Sequence, residues 1–124
     1  MTKPTTALVV DDHPTNRRLA VALLESAGWQ TLDAASGEAA LVLAAKHPFR
    51  LVLLDISMPG LSGEETCTHL RALPQGDALH IVAYTAHAFP EDLEHLLANG
   101  FDDILIKPIS RQRIEELTAS LTRS

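Results

Sequence analysis

Three carboxylates, a hydroxyl and an ammonium group stand at matching places in this sequence. The apolar run Thr6-Ala7-Leu8-Val9-Val10 ends in Asp11-Asp12, and Leu51-Val52-Leu53-Leu54 ends in Asp55. Leu79-His80-Ile81-Val82-Ala83-Tyr84 ends at Thr85, and Asp103-Ile104-Leu105-Ile106 ends at Lys107. If these runs are parallel strands, the five polar groups share one rim of the sheet, where ligands of open α/β sheets bind. Carboxylates gathered there repel one another and shift upward in pKa unless something compensates. The ordinary remedy is a hard divalent cation; magnesium takes carboxylate and carbonyl oxygens and keeps waters, so it can also hold a phosphoryl group. Lys107 adds a compact positive charge able to pair with Asp55 or an anionic oxygen, and Thr85 adds a donor. A nucleophilic carboxylate, a metal and two such groups meet the needs of phosphoryl transfer onto Asp55. Taken singly, each residue reads more plainly as a solvated loop charge or a helix cap. The full set, at the ends of inner strands, points to chemistry.

The elements that must position them follow from hydrophobic period and punctuation. The four-residue apolar run into Asp55, closed by Met58-Pro59-Gly60, predicts a strand buried on both faces, from about Arg50 to Asp55. Pro14 suits a first helical turn, and Leu19, Ala20, Leu23, Leu24 and Ala27 recur on one face of a helix over 14–27 that Gly28 stops. Trp29-Gln30-Thr31-Leu32-Asp33 alternates weakly and predicts a strand near an edge; its Asp33 is left out of the site. Ser36 caps a helix over 37–46 with Ala40, Leu41 and Ala44 inward, ended by His47-Pro48. Ser62 with Glu65 three residues on is a capping box opening a helix to about Leu73, broken by Pro74-Gln75-Gly76-Asp77. A short helix over 90–99 turns Leu93, Leu96 and Leu97 inward and stops at Gly100. Ser110 caps a last helix carrying Ile114, Leu117 and Leu121. Five strands alternating with five helices predict a parallel sheet covered on both faces, a doubly wound α/β fold in the flavodoxin-like order 2-1-3-4-5.

Composition narrows the function classes. The chain of 124 residues predicts a single domain over 1–124 with one proper core. Ten Lys and Arg against sixteen Asp and Glu leave a net charge of −6, which disfavours nucleic acid or an anionic membrane as main partner. No apolar run approaches the roughly 20 residues of a membrane span, and the segment Met1-Thr2-Lys3-Pro4 does not read as a signal peptide. The lone Cys67 cannot form an internal disulfide, which fits a reducing, cytoplasmic setting; its apolar helical context predicts a small core residue rather than a redox thiol. None of the six His residues pairs with another at three- or four-residue spacing, so no His-based zinc site is expected.

With these residues in place, the chain resembles a response-regulator receiver domain of two-component signalling. Asp11-Asp12, Asp55-x-x-Met58-Pro59-Gly60, Thr85-Ala86 and Lys107-Pro108 carry the resemblance, which runs from about Ala7 to the last helix. The stretches Asp11-Asp12-His13-Pro14-Thr15-Asn16-Arg17 and Asp55-Ile56-Ser57-Met58-Pro59 are most similar to receivers of hybrid sensor histidine kinases. The resemblance implies Asp55 as phosphoacceptor, Asp12 and Asp55 as metal ligands, Asp11 as a ligand through water, and the Ser57 backbone carbonyl completing the protein's share of a Mg2+ shell, with Mn2+ as a substitute. It implies Thr85 and Lys107 on the phosphoryl oxygens, a cis Lys107–Pro108 bond, and a histidine kinase or histidine phosphotransfer domain as partner.

Three positions qualify the resemblance. Receivers usually carry Tyr or Phe where this chain has Ile104, and Ile offers no aromatic edge and a stiff χ1; this favours a relay or phosphate-sink role over a conformational switch. Ser57 and His87 occupy the places that tune hydrolysis in the family, although an exposed loop His is the plainer reading of His87. Family analogy puts donor docking on the first helix, near Ala20 and Leu24, residues that the helical stripe equally assigns to the core, and puts signalling or dimerisation on the face of the last two helices and fifth strand. Two other functions compete. An aspartate-nucleophile phosphatase usually has a second acid two residues after the nucleophile, where Ser57 stands here, and a phosphate-independent docking domain would not need the intact set of five residues.

Overall fold

The computed structural model describes residues 6–56, 60–74, 76–86, 90–107 and 109–122. Five strands, β1 (Thr6–Val10), β2 (Gln30–Ala34), β3 (Leu51–Asp55), β4 (His80–Thr85) and β5 (Asp103–Ile106), alternate with helices α1 (Pro14–Ser26), α2 (Gly37–Lys46), α3 (Gly63–Arg71), α4 (Pro90–Ala98) and α5 (Arg111–Thr122). The strands are all parallel, in the order β2-β1-β3-β4-β5, as the alternation predicts. Every residue of β3 is buried, because a central parallel strand has helices over both of its faces. β2 at the edge shows the mixed burial that its weak pattern foretells.

Period-two alternation splits the core in two. Leu8, Val10, Val52, Leu54, Ile81 and Ala83 point to the face covered by α2, α3 and α4, where they meet Ala40, Ala44, Cys67, Leu70 and Leu96. Ala7, Val9, Leu51, Leu53, Val82 and Tyr84 point to the face covered by α1 and α5, where they meet Ala20, Leu24, Ile114 and Leu117. Each face is packed with buried apolar side chains, and truncating a residue such as Leu53 to Ala belongs to the class that costs about 2–5 kcal/mol.

The helix ends obey their local signals. Ser62 Oγ accepts from the Glu65 amide while the Glu65 carboxylate accepts from the Ser62 amide, both at 3.1 Å, so the predicted capping box is closed. Those bonds hold the Glu65 carboxyl below its ordinary pKa. Ser36 and Ser110 cap α2 and α5 through the Ala39 and Arg113 amides. Gly28 and Gly100 follow α1 and α4 with φ of 96° and 107°, the left-handed region that side chains avoid.

Several expectations shift. Leu19 and Leu97 are 42% and 50% exposed rather than inward. Each sits about 100° round the helix from its buried neighbour, Ala20 or Leu96, so it falls off the narrow stripe that touches the sheet. Ala20 and Leu24 themselves belong to the core, both fully buried against β1 and β3. Strands β2, β3 and β4 begin one residue later than expected, and α3 ends at Arg71, followed by a 3-10 turn at Gly76–Ala78. That turn is held by Arg71, whose guanidinium donates to the carbonyls of Gly76 and Leu79 at 2.7 Å each, to the Gly100 carbonyl and to Asp102 Oδ2 at 2.6 Å. Asp102 Oδ2 in turn accepts from the Ile81 amide at 2.9 Å.

Cys67 is the core residue its context predicts, fully buried. Burial pushes its thiol up to about 11 from 9.0, partly offset by Arg71. Native Cys67 should therefore resist alkylation at pH 8 and react on unfolding. Because the folded state holds the proton more tightly, this contribution is complete below pH 9 and lost as pH rises through 11. Urea titrations across that window should show stability falling, and Cys67→Ala should lack the part that begins at pH 9.

Candidate functional site

Parallel register brings the strand-end groups together. Val10 lies beside Leu54, Asp55 beside Tyr84, and Thr85 beside Ile106, so Asp11, Asp55, Thr85 and Lys107 line one rim. The Lys107 amide donates to the Thr85 carbonyl at 2.7 Å, which fixes Lys107 one step past β5. Asp11, Asp55 and Thr85 are 0%, 1% and 4% exposed; Asp12 is partly open to solvent. Lys107 Nζ stands 3.3 Å from Asp55 Oδ2 and 3.6 Å from Asp11 Oδ2, so one cation is shared by two buried carboxylates.

Asp11 and Asp12 do not cap α1. The residue before the helix is His13, whose side chain makes no capping bond, and Pro14 takes the first turn. Asp11 Oδ1 accepts instead from the His13 amide at 2.8 Å. Its Oδ2 has no hydrogen-bond partner among the described residues, although Asp11 is fully buried. Among those residues its only charge partner is the Lys107 ammonium at 3.6 Å, beyond hydrogen-bond length and shared with Asp55, so the buried oxygen is only partly compensated. Carboxylate oxygens from Asp11, Asp12 and Asp55 and a His13 ring nitrogen all lie within 4.8 Å of one another. Such a donor set, mostly hard oxygen, fits a small divalent cation with room for waters.

Neighbouring residues complete the electrostatics. Lys107 Nζ lies 4.5 Å from the Tyr84 ring centroid, a cation–π contact. Burial, and then the Asp11 and Asp55 charges, push the Tyr84 hydroxyl up to about 12, so it stays a neutral wall beside the acids. Arg17 reaches back from α1 to donate to the Asp11 carbonyl at 2.9 Å and to Asp33 Oδ2 at 2.7 Å. Asp33 is thereby tied to α1 and stands apart from the carboxylate cluster. Helix α3 approaches closely because Gly63 has no side chain: a Cβ there would stand 2.5 Å from Ile56 Cα and 2.6 Å from the Asp55 carbonyl oxygen.

Of the residues that the sequence singles out, Asp11, Asp12, Asp55, Thr85 and Lys107 meet at this rim. Ile104 is half-buried, beside Ala83 and against the α2–α4 side of the core. Ser57, His87 and Pro108 lie outside the described residues, and with them the Ser57 carbonyl, the His87 side chain and the Lys107–Pro108 bond. His13, Arg17 and Tyr84 were not foreseen. Adjacency to Asp12 and Thr85 was the available signal for His13 and Tyr84; nothing local marks Arg17. A cavity of about 470 Å3 lies elsewhere, at the opposite rim between Phe49, Leu79, His80, Asp102 and Leu121, and none of the site residues lines it.

The family model of the response regulator receiver domain matches residues 7–119. The chain belongs to the response regulator receiver domain family. Among curated relatives of this receiver, the sensor histidine kinase GacS of Pseudomonas protegens is 39% identical over 118 residues, covering 93% of the chain and 13% of GacS. The histidine-protein kinase BarA of Escherichia coli is 38% identical over 112 residues, covering 90% of the chain and 12% of BarA. The chain thus spans about an eighth of the length of these relatives, which are receiver-containing, or hybrid, kinases. Among solved structures, the receiver domain of a Pseudomonas aeruginosa sensor histidine kinase, with a magnesium ion coordinated in its active site cleft, superposes with a TM-score of 0.87 at 30% identity, covering 98% of this chain and 100% of that one. A chemotaxis protein of Vibrio cholerae gives a TM-score of 0.86 at 29% identity, covering 98% of each chain.

The receiver's shared ammonium makes a direct prediction. Lys107→Met would leave two buried carboxylates without their cation, and removing one partner of a buried ion pair costs roughly 3–5 kcal/mol. Urea unfolding in chelator at pH 7 should show the loss, and an unchanged midpoint would mean that Lys107 does not compensate them.

Proposed function

We propose that this receiver accepts a phosphoryl group on Asp55 from a phosphohistidine, in a Mg2+-dependent step. The observation that carries the reading is Asp55 itself, 1% exposed at the end of β3 and 3.3 Å from Lys107 Nζ. Its carboxylate oxygen attacks phosphorus, an acyl phosphate forms, and the P–N bond to the donor imidazole breaks. Lys107 and Thr85 contact the phosphoryl oxygens, and water later hydrolyses the acyl phosphate. Asp12, Asp55 and the Ser57 carbonyl would hold the cation, with Asp11 beside it through water, and Mn2+ would serve in place of Mg2+. When bound, the cation neutralises the carboxylates and the charge on the transferring group.

The donor is a histidine kinase or a histidine phosphotransfer domain, and residues 1–124 are one domain of a hybrid kinase working in the cytoplasm. No described helix is long and apolar enough to cross a membrane. Ile104, in place of an aromatic ring, favours a relay or phosphate-sink role, with Ser57 and His87 tuning the phosphoryl lifetime. Family membership supports the phosphoacceptor reading over the phosphatase, and the assembled carboxylates support it over phosphate-independent docking.

Asp55→Asn should abolish labelling by acetyl phosphate, and label retained at full level would sink the assignment. Mg2+ at ten times its dissociation constant should raise the unfolding free energy by about 1.4 kcal/mol. Asp12→Ala should lose that gain, read by thermal melting with and without chelator.

A further inference from the structure

We propose that His13 selects the metal: its Nδ1 joins Asp12 and Asp55 around the cation and shifts the site from magnesium toward divalent transition ions. The inference rests on the metal-dependent reading above and concerns which ion that site prefers. Its first support is geometric. His13 Nδ1 stands 3.1 Å from Asp12 Oδ1 and 3.7 Å from Asp11 Oδ1. The Asp12 contact is a hydrogen bond, and its length also matches the roughly 3.0 Å between adjacent ligands of an octahedral ion with bonds near 2.1 Å, so an ion can take the place of the shared proton.

The backbone keeps the ring there. His13 is extended, with φ −95° and ψ 115°, as a residue before proline must be, and its amide is tied to Asp11 Oδ1 at 2.8 Å. The side chain is 68% exposed, so it can turn onto an ion without disturbing the core. A second, independent observation points to a cation at this place: fully buried Asp11 Oδ2 has no hydrogen-bond partner among the described residues and faces only the Lys107 ammonium, at 3.6 Å and shared with Asp55, so the buried carboxylates outnumber the cation that serves them.

The chemistry decides the direction of selectivity. Magnesium holds hard oxygen donors and gives up water reluctantly. An imidazole nitrogen raises affinity along the series from Mn2+ to Ni2+ and adds little for magnesium. One nitrogen among carboxylates leaves a site that magnesium can still occupy and that transition ions occupy better than an all-oxygen cluster would allow.

The test loads the 124-residue chain with Mn2+ and follows its release by electron paramagnetic resonance as Mg2+ or Ni2+ is added, so that only ions competing for the Mn2+ site are read. In His13→Ala, and in His13→Gln as a second variant, the Ni2+ needed for half-release should rise roughly tenfold relative to the Mg2+ needed. Pulsed resonance on the Mn2+-loaded wild type should show nitrogen-14 modulation from a bound imidazole, and the variants should lack it. No modulation in the wild type, or an unchanged Ni2+ to Mg2+ ratio in the variants, overturns the role of His13. Wild-type Mn2+ affinity in Asp12→Asn would instead overturn the carboxylate site itself, and the role of His13 with it.

Discussion

The structure turns on negative charge held in a place with little water. Asp11 and Asp55 are buried at the ends of two adjacent central strands, Asp12 stands beside them, and one ammonium, that of Lys107, lies between the first two. In water such a cluster would be unremarkable. Against a wall of apolar side chains and a neutral Tyr84 the repulsion is weakly screened, and Lys107 offsets only part of it. The amino-terminal end of α1, which begins three residues after Asp11, adds the favourable end of a helix dipole. What remains is a standing demand for positive charge, which a divalent cation can meet.

The surrounding fold sustains that demand. The sheet order makes β1 and β3 neighbours, so the two buried acids cannot separate without breaking the ladder. Gly63 lets α3 press on the Asp55 backbone, and Arg17 takes the Asp11 carbonyl from the other side. Each contact fixes a main-chain position next to the carboxylates.

The contrast with the opposite rim is instructive. There Arg71 donates to three carbonyls and to Asp102, whose same oxygen also takes an amide. Every N–H of the Arg71 guanidinium has an acceptor, as in polar groups that serve architecture. At the carboxylate rim, Asp11 Oδ2 has no hydrogen bond among the described residues and shares the Lys107 ammonium with Asp55. There the charges of one sign exceed those of the other, whereas Arg71 and Asp102 balance.

Much of this was legible in the residues. The apolar run into Asp55 fixed a buried strand, because only a parallel strand covered on both faces tolerates such a run. The Ser62 and Glu65 pair fixed a helix start, because the two bonds of a capping box are local. Strand-end placement likewise assembled Asp11, Asp12, Asp55, Thr85 and Lys107, since parallel strands put all their carboxyl ends on one rim. Tertiary packing decided what depends on distance and direction. Leu19 and Leu97 turned outward because a few tens of degrees of helix rotation are set by the sheet, not by the helix. Arg17 and Arg71 found carbonyls that only the folded chain brings within reach. Sequence named the groups that could react; the packed strands determined how close they stand, and with charges in a dry site that closeness sets the chemistry.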